Sequence, residues 1–425
     1  MSTVAQNLQT LAAIKEDIRQ AIVTKGQSCP VGTPFADYAD KIEAISGGGD
    51  EYEEQPIKDV TFFDYDGRVP YSYTAQEFLA LETLPTPPTH EGLTAQGWNW
   101  TLTDAKAEVQ FSGQLDIGAH YVTSDGKTRL YIEVPDGGIS LSSFSLNSNN
   151  RSKVVVDWGD GTEPLTEPNP LWNAHTYANG GKYVITIYTT ESGIDIYLGY
   201  GAVYGLFGIY NQANQDNEAP HQMLYKAELG ANVTKIFHTA FNYERRLETI
   251  TIPKDVVGTD ATNGFSTAWQ QNINLRHITL PYNANPALVM FPTALAQCYT
   301  IKSVAIPKIN KIPNYAFRSN LNVKHFNIPS TITEIGGYAF ENCNKFGPKV
   351  IIPAGVTSIG IYAFSNCFSI NEYYLLPTTP PTITNATFAG LRSWVKFYVP
   401  NGKLNDYQTA ENWAVYASYM VEMDE

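Results

Sequence analysis

Asp157, Asp160 and His175 are the residues whose types and spacing come nearest to working chemistry. Two carboxylates and an imidazole could hold a divalent metal, or pass a proton between acid and base. Asp64-Tyr-Asp-Gly67 offers a second pair of acids and hints at calcium. The further spaced oxygen ligands of a calcium loop do not follow, so the run reads as a turn between two strands. Gly199-Tyr-Gly201-Ala-Val-Tyr-Gly205 lacks the glycine spacing and the following helix of a dinucleotide fingerprint. There is no Gly-x-Ser-x-Gly elbow, no His-Glu-x-x-His pair and no phosphate-cradling lysine loop, and the 7 histidines form no ligand triplet by spacing. Carboxylate pairs abound in an acidic chain, so a glycosidase pair stays open. The expectation is a non-enzyme with no catalytic, cofactor-binding or metal-binding residues.

Composition points the same way. The chain has 425 residues, enough for roughly two to four domains. Lys+Arg is 28 against Asp+Glu 42, a formal charge of −14 with no basic patch, which disfavours a nucleic-acid partner. Charged residues are only 16% and aromatics 12%, a profile that suits β-rich extracellular or virion surfaces. No run approaches the roughly 18 apolar residues of a membrane span, so no membrane insertion is expected. The opening Met1-Ser-Thr-Val lacks a basic region followed by an apolar one, so no secretory signal is expected. Cys29, Cys298, Cys343 and Cys367 form no Cys-x-x-Cys pair. Three of them recur at one repeat position and read as small buried hydrophobes.

The elements that would carry these residues change along the chain. Leu8, Leu11, Ile14, Ile18 and Ile22 make an apolar stripe at helical period, and Phe35, Tyr38, Ile42 and Ile45 make a second after Thr33-Pro34. Residues 1–46 are therefore expected to form a helical hairpin, too short to stand alone and suited to anchoring against a partner or sister chains. Residues 47–56 read as a flexible acidic linker. Residues 57–136 read as a small α+β adaptor domain. It has a hairpin turned at Asp66-Gly67, a capping box at Thr74-Ala-Gln-Glu77, a helix from about Thr103 to Val109, and a second hairpin pairing Ile117–Val122 with Thr128–Val134 around Asp125-Gly126.

Residues 137–200 carry Asp157-Trp-Gly-Asp-Gly161 at a strand end, then His175-Thr-Tyr177 and an alternating strand to Ile187. This pair of motifs resembles the PKD domain, an immunoglobulin-like β-sandwich. The resemblance implies that Trp158 is a core aromatic and that Asp157, Gly159, Asp160 and Gly161 shape a turn, with His175 and Tyr177 on the later strand.

After a connector at 201–223, residues 224–393 repeat. Ile252-Pro253, Leu280-Pro281, Ile306-Pro307, Ile328-Pro329, Ile352-Pro353 and Leu376-Pro377 close units at a period in the twenties, which means a solenoid. Ile335-Gly-Gly-Tyr-Ala-Phe-Glu-Asn-Cys343 and Ile359-Gly-Ile-Tyr-Ala-Phe-Ser-Asn-Cys367 are the clearest copies, each read as a short strand, a turn and a short helical segment carrying Ala-Phe. Gly264 to Pro281 lacks the Ala-Phe pair. The pattern resembles the BspA-like leucine-rich repeats, with residues 394–425 as the terminal cap that a solenoid end requires.

The expected fold is thus multidomain and mostly β with α: a helical hairpin, a small α+β domain, a PKD-like sandwich and an α/β repeat solenoid with a cap. Tyr71-Ser-Tyr-Thr-Ala-Gln-Glu-Phe-Leu-Ala-Leu81 and Leu93-Thr-Ala-Gln-Gly-Trp-Asn-Trp100, with the hairpin, are similar to adaptor segments in virion structural proteins of phages of gut bacteria. The resemblance implies a head or tail fibre or decoration protein, assembled in the host cytoplasm and exposed on the particle. It implies other virion proteins as partners of the N-terminal helices, a host-surface glycan or protein as partner of the solenoid, and a homo-oligomer, with a trimer suggested. A bacterial surface adhesin and a glycan-active enzyme are the alternatives.

Overall fold

Strands form where apolar and aromatic residues alternate, and they turn at glycines. β1 (Val60–Phe63) folds back on β2 (Tyr71–Tyr73) through Asp64–Gly67, where Gly67 sits at φ 88° and its amide donates to the Asp64 carbonyl at 2.9 Å. α1 (Ala75–Leu79) starts at the expected capping box. Glu77 N donates to Thr74 Oγ1 at 3.2 Å and Thr74 N to Glu77 Oε2 at 2.7 Å. β3 (Leu93–Trp98), α2 (Leu102–Ser112, ended by a left-handed Gly113) and β4 (Leu115–Thr123) follow, in a sheet of order β2-β1-β4-β3. Phe62, Phe78, Trp98, Ile117 and Tyr121 are central to its core.

The computed structural model describes residues 55–199, 205–207, 219–237, 239–258, 268–281, 294–324 and 326–424. The expected helical hairpin, with Leu8, Leu11, Ile14, Ile18, Ile22, Phe35, Tyr38, Ile42 and Ile45, lies outside the described residues, as do Cys29, Gly201 and residues 47–54 of the linker. Residues 54–87 and 92–425 belong to one compact unit.

Within this unit β4 departs from expectation. The turn at Asp125-Gly126 forms, with Gly126 at φ 73°, but β4 and β5 (Thr128–Val134) do not pair. Both edges of β4 are taken, by β1 in parallel and β3 in antiparallel register. β5 pairs instead with β11 (Gly181–Thr189) on one edge and β13 (Leu224–Glu228) on the other. A boundary at 136/137 would therefore divide a single sheet.

The remaining strands of this region are β6 (Ile139–Leu141), β7 (Leu146–Ser148), β8 (Val154–Asp157), β9 (Leu165–Thr166), β10 (His175–Tyr177) and β12 (Ile196–Leu198). The repeats contribute β14 (Val233–Ile236), β15 (Thr249–Thr251) and β16 (Val257–Gly258). Two sheets run across the junction, with orders β15-β13-β5-β11-β8-β9 and β16-β14-β12-β7. In the first, parallel repeat strands pass into antiparallel strands at β13–β5, and in the second the parallel pairing continues through β14–β12 before β7 turns antiparallel. One apolar cluster accordingly extends from Leu130 to Met420.

From β13 onward the chain is a mostly β solenoid. Its ladders include the parallel pair His277–Thr279 with Ser303–Ala305, and Lys349–Ile352, Glu372–Leu375, Lys396–Val399 and Met420–Glu422 in order. The Ala-Phe segments are not helical. Tyr315, Tyr338 and Tyr362 take φ 61°, 58° and 56°, and Ser319, Asn342 and Asn366 take φ 61°, 61° and 58°. A left-handed residue at each end prevents a helical turn between them. The amides of Tyr315, Phe317 and Ser319 donate instead to the carbonyls of Gly337, Ala339 and Glu341 in the next repeat, at 2.9, 2.8 and 2.7 Å. The solenoid is thus β rather than α/β, with a backbone ladder on its turn side as well. At the C-terminal end Trp413 and Tyr407 are buried, and their side chains donate to the carbonyls of Pro381 and Pro377, both at 2.8 Å.

The sheet containing β4 docks on these repeats. β4 is buried along both faces: Ile117 and Tyr121 enter the first core, while Gly118 and His120 meet the solenoid. His120 Nδ1 lies 2.9 Å from the Ile252 carbonyl, Asn99 Nδ2 donates to Ala305 O at 3.1 Å, and Trp100 Nε1 to Ile306 O at 2.9 Å. Phe63 stacks on His277 with ring centroids 5.1 Å apart. Burial holds both imidazoles neutral, pushing His120 down to about 4 and His277 to about 3. A Cβ at Gly118 would lie 2.1 Å from Thr279 Oγ1 and 2.7 Å from Ala305 Cβ. Gly118→Val should therefore lower stability by about 1–3 kcal/mol or more through overpacking, read as a lowered midpoint in urea. An unchanged midpoint would show that the docked contact is absent in solution.

Candidate functional site

β8 delivers Asp157 to a tight turn, and β10 brings His175 and Tyr177 beside it. Asp157 Oδ1 accepts from Gly159 N at 2.9 Å, within its own turn. Asp160 Oδ1 accepts from the Thr162 hydroxyl at 2.6 Å and amide at 3.1 Å, while its Oδ2 lies 2.9 Å from His175 Nε2. The His175 ring lies flat on Trp158, centroids 4.4 Å apart at 4°, and Tyr177 Oη donates to the Trp158 carbonyl at 3.0 Å. Burial alone would raise the Asp160 carboxyl, but the hydrogen bonds from Thr162 and His175 hold it below its ordinary range. Gly159 and Gly161 take φ 78° and 81°, and a Cβ at Gly159 would meet Val184 O at 2.5 Å.

The structure thus brings Asp160, His175, Trp158 and Tyr177 together and leaves Asp157 apart. The Asp160–His175 and Tyr177–Trp158 contacts fasten the turn between β8 and β9 to β10, and the remaining hydrogen bonds close the turn on itself. Among the described residues no three His, Cys, Asp or Glu side chains converge as a metal site. Asp64 and Asp66 likewise serve their own turn: Asp64 Oδ1 accepts from Tyr65 N at 2.8 Å and Asp66 Oδ1 from Arg68 N at 3.0 Å.

The repeat cysteines hold more than volume. Cys298 Sγ donates to Trp269 O, Cys343 Sγ to Phe317 O and Cys367 Sγ to Phe340 O, each at 3.1 Å across to the preceding repeat. At the same position Asn272 Nδ2 donates to Phe241 O at 2.8 Å and Asn320 Nδ2 to Leu295 O at 3.1 Å. Burial pushes the Cys298 thiol up to about 12 and the other two higher still, which keeps them protonated donors. The unit expected to lack Ala-Phe carries Ala268-Trp269 there, followed in the next by Ala294-Leu295, both buried. An Ala-aromatic rule with Asn or Cys three residues beyond the aromatic or leucine side chain would have found these units.

What the solenoid leaves outside is also ordered. Tyr299 is 37% exposed, Phe368 41% and Trp394 56%, all in loops that follow the Asn/Cys rung or its equivalent. Arg392 stands 5.2 Å from the ring centroids of both Phe368 and Trp394. Exposed aromatic and cationic side chains thus meet at this corner.

Residues 221–324 and 310–412 match the family model for the BspA type leucine rich repeat region in 6 copies, and the repeats are of that type. Solved structures with similarity include a leucine-rich repeat protein from Eubacterium ventriosum, at 19% identity over 40% of this chain and 45% of that one, TM-score 0.28. A leucine rich cell surface protein from Faecalibacterium prausnitzii matches at 15% identity over 53% and 85%, TM-score 0.26. The pneumococcal vaccine antigen PcpA matches at 14% over 47% and 66%, TM-score 0.27. The chain spans less than half of the Eubacterium protein. No curated protein matches the chain.

Asp160→Ala should cost about 1 kcal/mol by removing the turn bonds to Thr162 and the partner of the largely buried His175, read as a lowered thermal midpoint. A variant as stable as the parent would contradict the turn-fastening role.

Proposed function

We propose that the chain is a non-enzymatic adhesion protein displayed on a phage particle. Its N-terminal helices bind other virion proteins, and its solenoid meets a host-surface or mucosal ligand. The observation that carries the reading is the unbroken pair of sheets joining residues 128–198 to the repeats, which makes these residues one continuous presenting body. The apolar stripes at Leu8–Ile22 and Phe35–Ile45 support the anchor. Trp158 packed edge-on to Phe144 at 5.4 Å, with the fastened Asp157–Gly161 turn, supports a PKD-like sandwich in 137–200. Many copies on one particle, as a trimer or higher assembly, would convert weak single contacts into avidity. A bacterial cell-surface adhesin is the second reading, favoured by the BspA-type repeats themselves, which serve it equally well.

Purified phage particles should contain this chain by mass spectrometry, and removal of residues 1–46 should abolish incorporation while residues 57–425 still fold. Particles without the chain, with the chain recovered instead from a bacterial envelope fraction, would favour the second reading. Incorporation of the truncated chain would overturn the anchor.

A further inference from the structure

We infer that the Tyr299–Trp394 corner of the solenoid binds a linear anionic glycan, with sugar rings against Phe368 and Trp394 and acid groups against Lys345 and Arg392. This rests on the adhesion reading and names its ligand class.

Three observations carry it. First, the exposed large aromatic side chains among the described residues are Trp172, Tyr299, Phe368 and Trp394, and the last three share this one corner. Burying aromatic surface is favourable, so leaving it exposed on one side of the solenoid, with Phe368 and Trp394 on adjacent coils, marks a contact surface.

Second, the corner is constructed. Asn322 Nδ2 donates to Tyr299 O at 2.7 Å, Lys345 Nζ to Asn322 Oδ1 at 2.6 Å, and Ser369 Oγ to Asn344 O at 2.7 Å, linking one coil to the next. Trp394 Nε1 donates to Asn371 Oδ1 at 3.1 Å, so its exposed ring is held in place.

Third, the charge is local. The chain carries −14 overall, yet Lys302, Lys324, Lys345 and Arg392 are exposed here and have no carboxylate partner among the described residues. Some cations elsewhere on the solenoid are paired, Arg318 with Glu341 at 2.5 Å and Lys311 with Glu334 at 2.8 Å.

The spacing selects the ligand. Adjacent ladder strands lie about 4.8 Å apart, so Lys345 and Arg392, two coils apart, are separated by about 10 Å along the axis. A nucleic-acid duplex carries a phosphate about every 3.4 Å along each strand, too dense for this row. A glycan with an acid group on alternate sugars fits the row, and its ring faces suit the exposed aromatics.

The test is binding of the full chain to an immobilised panel: hyaluronan, chondroitin sulfate, polygalacturonate and sialylated mucin glycans, beside neutral cellohexaose and a single-stranded oligothymidylate. At least one anionic glycan should bind, weakening with salt, and Trp394→Ala and Arg392→Gln should each weaken it about tenfold at unchanged melting temperature. Binding to none of the anionic glycans, preference for cellohexaose or the oligonucleotide, or equal binding by both variants would overturn the site. Adhesion of the chain to mucus-coated and host-cell surfaces is measured beside it. Adhesion that survives both substitutions removes this site and leaves the adhesion reading, whereas adhesion to nothing removes that reading itself.

Discussion

A stack of parallel β-coils has an unpaired strand edge at its first coil, and residues 128–198 answer that constraint. The first repeat offers two such edges, β13 and β14. β5 closes the first in antiparallel register and β12 closes the second in parallel register. Neither closing strand is a terminal ornament: β5 goes on to β11 and β8, and β12 goes on to β7. The edge-closing strands therefore belong to a sheet system whose core around Trp158 and Phe144 is continuous with that of the repeats.

The interior repeats a small set of contacts. Phe317, Phe340, Phe364 and Phe388 stack at 5.4, 5.2 and 5.7 Å, nearly parallel, so each coil sets the rotamer of the next. Beside them Asn272, Cys298, Asn320, Cys343 and Cys367 each donate to a carbonyl of the coil before. An amide and a thiol are interchangeable there because both present a donor in a site closed to water. The docked sheet adds lateral fastening, with Asp104 to Lys308 at 2.7 Å and Glu108 accepting from Ser330 N at 2.9 Å. Burial raises the Glu108 carboxyl, against the pull of its Ser330 and Asn327 hydrogen bonds.

Much of the local structure was legible in the residues. The Thr74/Glu77 box, the Asp-Gly turns, the repeat period and the buried cysteines all follow from short-range chemistry. The partner of β5 was not legible, because alternation fixes which face of a strand is buried but leaves its neighbour open. The docking of β4 was equally hidden: its signature is a strand with no polar face, and Gly118 and His120 look neutral in isolation. The Ala-Phe segment misleads because propensity favours a helix where inter-coil amide bonds impose left-handed residues. The Asp157–His175 cluster was legible as a turn, since its aromatic and glycine neighbours dictate the arrangement. The exposed corner needed the fold, as Phe368 and Trp394 come to share Arg392 only once the coils are stacked.

The central claim is that residues 128–198 and the repeats share one hydrogen-bonded body. Native-state hydrogen exchange on the full chain, resolved by peptide, tests it most directly. The account predicts that amides of Leu130–Val134 and Lys226–Glu228, which bridge the junction, are protected as strongly as those of Ile278 and Val304 inside the solenoid. Rapid exchange across the junction with the repeats still protected would contradict it, and would return the chain to separate modules joined loosely.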